Sequence, residues 1–267
     1  MERPLREYLD REDVERMWSI AHRKDYAHHL FLKTLFFTGA RISEITGLRK
    51  VDVLNRILKR KEVKKAIADG ILNVEDFYRI TENGRREVLD GEEALRKESV
   101  RDAIRRGILT KEEVLDIRDH PEYGLTPSAI DPKRNVIRLL TLKLKNPQFR
   151  YVPVPPGLVK ELLNYSETRR IKPNDRIFPF TRVTGYLIVR KYAEEAGIKI
   201  IAPPGRKKGV ENPYPHLFRH SRAIDWAKRS KDVAEFARLQ KRLGHQDIKT
   251  TFIYLKYIEE GTEEESS

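Results

Sequence analysis

Four residues in two pairs have the types and the spacing to bind an anion. Arg41 precedes Glu44 by three positions, and His216 precedes Arg219 by three, so each pair shares a face if its segment is helical. A guanidinium group binds phosphate oxygens through two parallel N–H donors and stays charged. Both pairs also have structural interpretations, as a helix cap or ion pair for Arg41 and as a surface pair for His216 and Arg219.

A histidine, a tyrosine and two lysines add groups that could transfer protons or attack. His245, in the sequence LGH, precedes Tyr254 by nine residues, and apolar residues at helical spacing predict a helix over 248–258. Lys143 and Lys145 fall on one face of a predicted strand. Each of these residues also has a structural interpretation. His245 is typical of a solvated loop histidine, Tyr254 of a core tyrosine, and the two lysines of residues that protect a sheet edge.

Amphipathic patterns predict the helices that would position these side chains. Apolar residues recur at helical spacing in 11–23 and 25–38, and Gly39 is the expected C-cap of the second helix. A short helix at 41–48 begins with Arg41. Later helices are predicted at 157–169, 182–197, 215–230 and 231–242.

Residues 136–154 alternate apolar and polar positions around Asn146 and Pro147, which predicts a β-hairpin. Lys143 and Lys145 belong to its first half. With helices on both sides of this hairpin, the expected fold class is α+β, mostly α-helical, with a small antiparallel sheet.

Residues 55–127 contain an internal repeat at an offset of 37. Each copy is predicted to be a helix stopped by glycine, at Gly70 or Gly107, followed by two apolar residues and a second helix. Asn73 and Thr110 are the expected N-caps of those second helices. Two copies are too few for a self-standing solenoid, so this duplicated helical hairpin is expected to pack on the main body or on another protein.

The composition indicates a polyanionic partner. Lys and Arg number 54 against 41 Asp and Glu, a net charge of +13, and the 55–127 segment is neutral, so the excess lies elsewhere. The absence of cysteine excludes disulfides and thiolate metal sites. A charged N-terminus and the lack of a long apolar run predict a cytoplasmic protein without a membrane span. The 36% of charged residues is typical of a heat-loving source.

Four motifs together resemble the tyrosine recombinase, or phage integrase, family and its Xer-like members. They occur in the family's order and with its spacing, and the resemblance covers residues 11–54 and 128–258. The motifs are TGARISEI at 38–45, HLFRH at 216–220, LGH at 243–245 and Tyr254.

The resemblance implies a role for each of the five residues in the principal motifs. Tyr254 would be the nucleophile that attacks a DNA phosphodiester, and Arg41 and Arg219 would bind the scissile phosphate. His216 and His245 would donate hydrogen bonds to the same phosphate and assist proton transfer. Such donors stabilise the charge on the phosphate oxygens, so no metal or cofactor is implied.

The resemblance also implies two supporting groups. Glu44 would orient the site, and a lysine in the β-hairpin would protonate the leaving 5′ oxygen as general acid. Lys145, five residues before Arg150 in the sequence RYVP, fits this position best. Lys143 shares its face and is the alternative.

The resemblance implies a catalytic domain built from 1–54 and 128–267, interrupted by the 55–127 segment and without the family's N-terminal clamp domain. The expected function is site-specific recombination or integration on double-stranded DNA through a 3′-phosphotyrosine, by a tetramer on DNA that is a monomer when free. Two alternatives stay open. One is type IB topoisomerase-like nicking and resealing, and the other is a DNA-binding remnant that keeps the fold without recombining.

Overall fold

The chain divides into two compact units. A computed structural model describes residues 7–141, 148–201, 210–211 and 213–228, with Arg238, Lys241 and Leu243. The first unit consists of 1–47 and 122–267, and the second of 48–121. The second unit therefore begins and ends several residues before the 55–127 segment marked by the repeat. It begins earlier because the apolar side chains of Val53, Leu54 and Ile57 pack into its core.

Helices make up most of the first unit, and their buried apolar side chains pack against those of a small sheet. The predicted helices at 11–23 and 25–38 are confirmed, and Asp25 ends the first and caps the second by accepting the N–H of Ala27 at 2.8 Å. Among the described residues no helix has the length and apolar character needed to cross a membrane. The helices of this unit are α1 (Arg11–Lys24), α2 (Tyr26–Thr38) and α3 (Ile42–Thr46), followed after the second unit by α9 (Pro156–Thr168), α10 (Arg182–Glu195) and α11 (Pro215–Ala227).

The predicted β-hairpin is confirmed as the centre of a three-stranded antiparallel sheet. Its strands are β3 (Ile130–Asp131), β4 (Val136–Thr141) and β5 (Gln148–Pro153), in the order β3-β4-β5. Thr141 pairs with Gln148 at the end nearest the turn. A separate pair, β6 (Ile200–Ile201) and β7 (Val210–Glu211), is also antiparallel. The fold class is therefore the predicted mostly helical α+β.

The second unit has its own core and shows the repeat as two matching helix ends. After α5 (Lys61–Ala68), the N–H of Ile71 donates to Ala66 O at 2.9 Å, and after α7 (Glu98–Arg105) the N–H of Ile108 donates to Ala103 O at 2.9 Å. Gly70 and Gly107 take left-handed φ values of 73° and 69° at these ends. The elements of this unit are α4 (Lys50–Leu58), α5 (Lys61–Ala68), β1 (Tyr78–Ile80), β2 (Arg86–Val88), α6 (Gly91–Ala94), α7 (Glu98–Arg105) and α8 (Lys111–Leu115).

The two copies diverge after these ends, and the prediction of a second helix in the first copy is wrong. Thr110 caps α8 as predicted, but Asn73 caps only a 3₁₀ turn, Val74–Phe77, which leads into the β1–β2 hairpin. The sequence Asn83-Gly84 explains the difference, because glycine supplies the left-handed φ of 69° that this tight turn uses.

The two segments of the first unit that flank the second unit meet closely. The N–H of Leu125 donates to Ile45 O at 2.9 Å. A Cβ atom on Gly124 would lie 2.8 Å from the backbone nitrogen of Gly47, so only glycine fits this approach. The chain thus leaves and re-enters the first unit at adjacent points.

Candidate active site

The segment from the end of α2 to α3 places Arg41. Gly39 ends α2 in the left-handed region, with φ of 57°, and turns the chain toward α3. Arg41 is the N-cap of α3, and its backbone N–H donates to Glu44 Oε2 at 2.8 Å. Its guanidinium Nη1 also donates to Glu44 Oε1 at 3.2 Å. The pair predicted from the three-residue spacing is therefore formed, and the Arg41 side chain remains 22% exposed.

Glu44 is a fully buried carboxylate whose oxygens receive donors from two separate segments. Besides Arg41, the Nη2 group of Arg150 donates to Glu44 Oε2 at 2.7 Å. Burial favours the neutral acid and by itself raises the pKa of Glu44. The charge and hydrogen bond of Arg150, the Arg41 N–H and the charge of Arg219 outweigh burial, so the pKa of Glu44 lies below its ordinary value.

Arg150 is a member of this network that the sequence reasoning used only as a landmark. It lies on β5, is 8% exposed, and donates from Nη1 to Thr141 Oγ1 at 3.0 Å. A signal was present in the sequence, because strand alternation puts Arg150 on the same face as the apolar Val152. An arginine on a buried face requires an acidic or polar partner.

Arg219 connects two of the sequence motifs through backbone carbonyls. It lies on α11, is 2% exposed, and donates from Nη1 to Gly39 O at 2.9 Å. Its Nη2 group donates to Leu243 O. The motifs TGARISEI and LGH are therefore held by one guanidinium group at their Gly39 and Leu243 positions.

His216 lies in the first turn of α11, one turn before Arg219, and is exposed. Pro215 occupies the first turn of this helix, where its missing N–H costs nothing. The remaining predicted residues lie outside the described residues: Lys143, Lys145, His245 and Tyr254.

The described part of the site is positively charged. Three guanidinium groups, those of Arg41, Arg150 and Arg219, act on the single carboxylate of Glu44. Such an excess of fixed positive charge beside low-polarity walls favours a bound anion.

Gly39 offers a test of how tightly this network is packed. A Cβ atom at Gly39 would lie 3.1 Å from Leu243 Cδ2, in addition to the strain of its positive φ. Gly39→Ala should therefore lower the free energy of unfolding by more than about 1 kcal/mol and displace the carbonyl that Arg219 binds. Urea unfolding measures the first effect, and phosphate-analogue binding measures the second.

Gly197→Ala is the matched control, because Gly197 also has a positive φ, 65°, but nothing lies within 4 Å of its added Cβ. It should cost about 1 kcal/mol from strain alone and leave anion binding unchanged. Equal effects of the two substitutions on anion binding would contradict the packing argument.

Replacing Glu44 should destabilise the first unit strongly. Glu44→Ala leaves the buried Arg150 without its carboxylate, and breaking a buried pair in this way costs about 3–5 kcal/mol. Urea unfolding measures this cost. The control is Glu15→Ala, which breaks an exposed pair with Arg11 in the same unit and should cost less than about 1 kcal/mol.

The same carboxylate makes stability depend on pH. Because the folded pKa of Glu44 is depressed, its contribution is present above the ordinary value of 4.5 and is lost as the pH falls through the folded pKa. Glu44→Gln should therefore lose less stability on acidification below 4.5 than the unchanged protein. Identical pH profiles would contradict this assignment.

Comparison with known proteins identifies the class to which this arrangement belongs. Residues 122–260, more than half of the chain, match the Phage integrase family, and the chain belongs to that family. The matched span contains Arg150, His216 and Arg219 but begins after Arg41 and Glu44. The hydrogen bonds from Arg150 to Glu44 and from Arg219 to Gly39 are among those that join this earlier segment to the matched span.

Individual relatives are tyrosine recombinases. The chain is 28% identical over 144 residues to tyrosine recombinase XerA of Thermococcus onnurineus, covering 50% of this chain and 44% of the relative. It is 24% identical over 240 residues to tyrosine recombinase XerD of Rhizobium meliloti, covering 86% and 67%. The chain spans about half the length of most of the curated relatives it matches.

The fold is similar to that of a solved XerA recombinase. The two structures superpose with a TM-score of 0.54 at 16% identity, over all of this chain and 67% of the other. At this identity the likeness concerns the fold alone, and it agrees with the predicted fold class.

Proposed function

We propose that the protein is a tyrosine-type site-specific DNA recombinase or integrase. The observation that carries this proposal is Arg219, buried on α11 and bonded to both Gly39 and Leu243. Through it, the segment containing Arg41 and the segment leading to His245 converge on one guanidinium group. Family membership and the net charge of +13 support double-stranded DNA as the substrate.

In the proposed reaction the Tyr254 oxygen attacks a DNA phosphorus and the bond to the 5′ oxygen breaks. Arg41 and Arg219 stabilise the charge on the nonbridging oxygens. His216 and His245 donate further hydrogen bonds, and one of these two histidines accepts the proton that the Tyr254 hydroxyl releases. Lys145, or Lys143 in its place, gives a proton to the leaving 5′ oxygen. The 5′ hydroxyl of a partner strand then attacks the phosphorus of the resulting 3′-phosphotyrosine. This attack forms a new phosphodiester and releases Tyr254.

Formation of a covalent adduct on a nicked duplex tests this function. The nick makes the fragment that carries the released 5′ hydroxyl short enough to diffuse away after cleavage. Cleavage then cannot be reversed, so the 3′-phosphotyrosine accumulates and migrates as a protein-DNA band on a denaturing gel. Duplexes are drawn from a library, because the target sequence is unknown. The DNA affinity of the same complex should fall steeply with salt, since phosphate contacts release counterions. A protein that binds DNA but forms no adduct on any duplex would be the DNA-binding remnant instead.

Supercoiled plasmid separates recombination from the topoisomerase-like alternative. Joining of two marked duplexes through a shared site supports recombination, whereas relaxation of plasmids of any sequence without such joining supports nicking and resealing. The oligomeric state belongs to the same proposal: a tetramer on two duplexes and a monomer when free, both measurable by light scattering.

We further propose that the second unit is an insertion in the catalytic domain, which contributes contacts to DNA or to another subunit. Its separate core and the close approach of Gly47 and Gly124 support this, because domains with adjacent ends are tolerated as insertions.

Deletion of residues 48–121 tests the role of the insertion. Gly47 and Glu122 are joined through a short Gly-Ser linker, which the approach of Leu125 to Ile45 allows. The shortened protein should keep the helix content of the first unit, measured by circular dichroism. Its DNA complex should have a higher dissociation constant in a gel-shift assay. Unchanged DNA binding and recombination by the shortened protein would contradict the proposed role of the insertion.

A further inference from the structure

We propose that Arg150 is a positioning residue of the active site, which fixes strands β4 and β5 against the carboxylate that holds Arg41. The inference rests on the proposed function and extends it to a side chain that contacts no reacting atom.

The geometry of Arg150 fixes two strands and a helix with one rigid group. Its Nη2 group donates to Glu44 Oε2 at 2.7 Å and its Nη1 group to Thr141 Oγ1 at 3.0 Å. Because guanidinium is planar, two acceptors bonded to its two ends cannot move independently. Thr141 ends β4 and pairs with Gln148, the first residue of β5, so Arg150 and Thr141 belong to the two strands that flank Lys143 and Lys145 in the sequence.

Glu44 carries this constraint to Arg41. Its Oε2 atom accepts both the Arg150 guanidinium and the backbone N–H of Arg41, at 2.7 and 2.8 Å. The start of α3 and the hairpin are therefore bonded to the same carboxylate oxygen. Any change in the Arg150 contact alters the position of the hairpin relative to Arg41.

Arg150 also determines how strongly Glu44 attracts Arg41. Its contact with the carboxylate is the shorter one, 2.7 Å against 3.2 Å for the Arg41 guanidinium. Arg150 is 8% exposed and Arg41 22%, so Arg150 is the deeper partner and Arg41 the one that reaches solvent. Without Arg150, the Arg41 guanidinium would become the nearest charged donor to a buried carboxylate and would be drawn away from a phosphate.

Four variants separate this role from a purely structural one. Arg150→Met removes both bonds, Arg150→Lys keeps the charge without the planar fork, and Thr141→Val removes only the bond to the strand. Arg138→Met is the matched control, because Arg138 lies on β4 of the same sheet with its guanidinium 4.8 Å from the Phe149 ring centroid. It removes the same charge from the same sheet.

The measured quantity is the single-turnover rate constant of adduct formation at saturating nicked duplex, with DNA affinity and active fraction determined separately. Arg150→Met should lower the rate constant by about 100-fold, the size expected for a misplaced catalytic group. Thr141→Val should lower it by about 10-fold, as for loss of one bond to a charged group. Arg150→Lys should fall between Arg150→Met and the unchanged protein. DNA affinity should change little in all three. A structural role alone would lower the active fraction and leave the rate constant per active molecule unchanged.

The outcomes distinguish the two proposals. If the unchanged protein forms no adduct, the proposed function fails and the role of Arg150 fails with it. If it forms the adduct and Thr141→Val and Arg150→Met cleave at its rate constant, only the role of Arg150 is overturned. Should Arg150→Met not fold, an unchanged rate constant for Thr141→Val alone overturns it. Equal losses in Arg138→Met and Arg150→Met would also overturn it.

Discussion

Tyr254→Phe is expected to abolish the covalent adduct while leaving DNA binding intact. The substitution removes only the phenol oxygen, which is the atom that would bond to phosphorus, and keeps the ring. Without a nucleophile the site can still bind a phosphodiester through Arg41 and Arg219 but cannot cleave it. A denaturing gel detects the adduct, and a gel-shift assay under the same conditions detects binding.

Tyr257→Phe is the matched control, because the same oxygen is removed three residues later in the same predicted helix. It should form the adduct at the rate of the unchanged protein. An adduct from Tyr254→Phe together with its loss in Tyr257→Phe would move the nucleophile to Tyr257. An adduct from both variants would place it on another residue.

Arg219→Lys is expected to lower the rate constant of adduct formation by about 100- to 1000-fold, the usual cost of removing a donor that stabilises developing charge. The charge is retained, but a lysine ammonium lacks the planar fork that reaches Gly39 O and Leu243 O together. The loss should therefore appear in the single-turnover rate constant as well as in the affinity for phosphate.

The control for Arg219→Lys is Arg222→Lys, the same change one turn later on α11. Arg222 pairs with Asp225 at 2.5 Å and lies over the rings of Phe36 and Trp226. Its replacement should cost some stability and leave the rate constant within about 5-fold, because the bonds of Arg219 to Gly39 O and Leu243 O are kept. Similar losses of rate in the two variants would show that Arg219 acts only through packing.

The helices of the first unit could be predicted from sequence because their signals are local. Asp10 and Asp25 supply N-caps, Gly39 supplies the left-handed C-cap, and the apolar residues between them repeat at helical spacing. The first copy of the repeat shows the limit of such patterns. Helix-like spacing follows both Asn73 in the first copy and Thr110 in the second, but the Asn83-Gly84 turn closes a hairpin in the first copy and ends that similarity.

The site was less predictable, because its connections are between residues far apart in sequence. The pairing of Arg41 with Glu44 follows from their spacing alone. Neither the bond from Arg150 to Glu44 nor that from Arg219 to Gly39 has any local signal, since these pairs are separated by 106 and 180 residues. The burial of Arg150 could be read from strand alternation, but its partner could not.

The close approach of the two segments that flank the second unit has a consequence for the order of folding. Ile45 and Leu125 must meet to complete the first unit, although the whole second unit lies between them in the chain. Closing a loop of roughly 75 unfolded residues costs about 2 kcal/mol more than closing one of about 5. Once the second unit has folded, the bond from His120 N–H to Leu48 O, 2.8 Å long, already holds its two ends together. We therefore expect substitutions that slow folding of the second unit to delay assembly of the first as well.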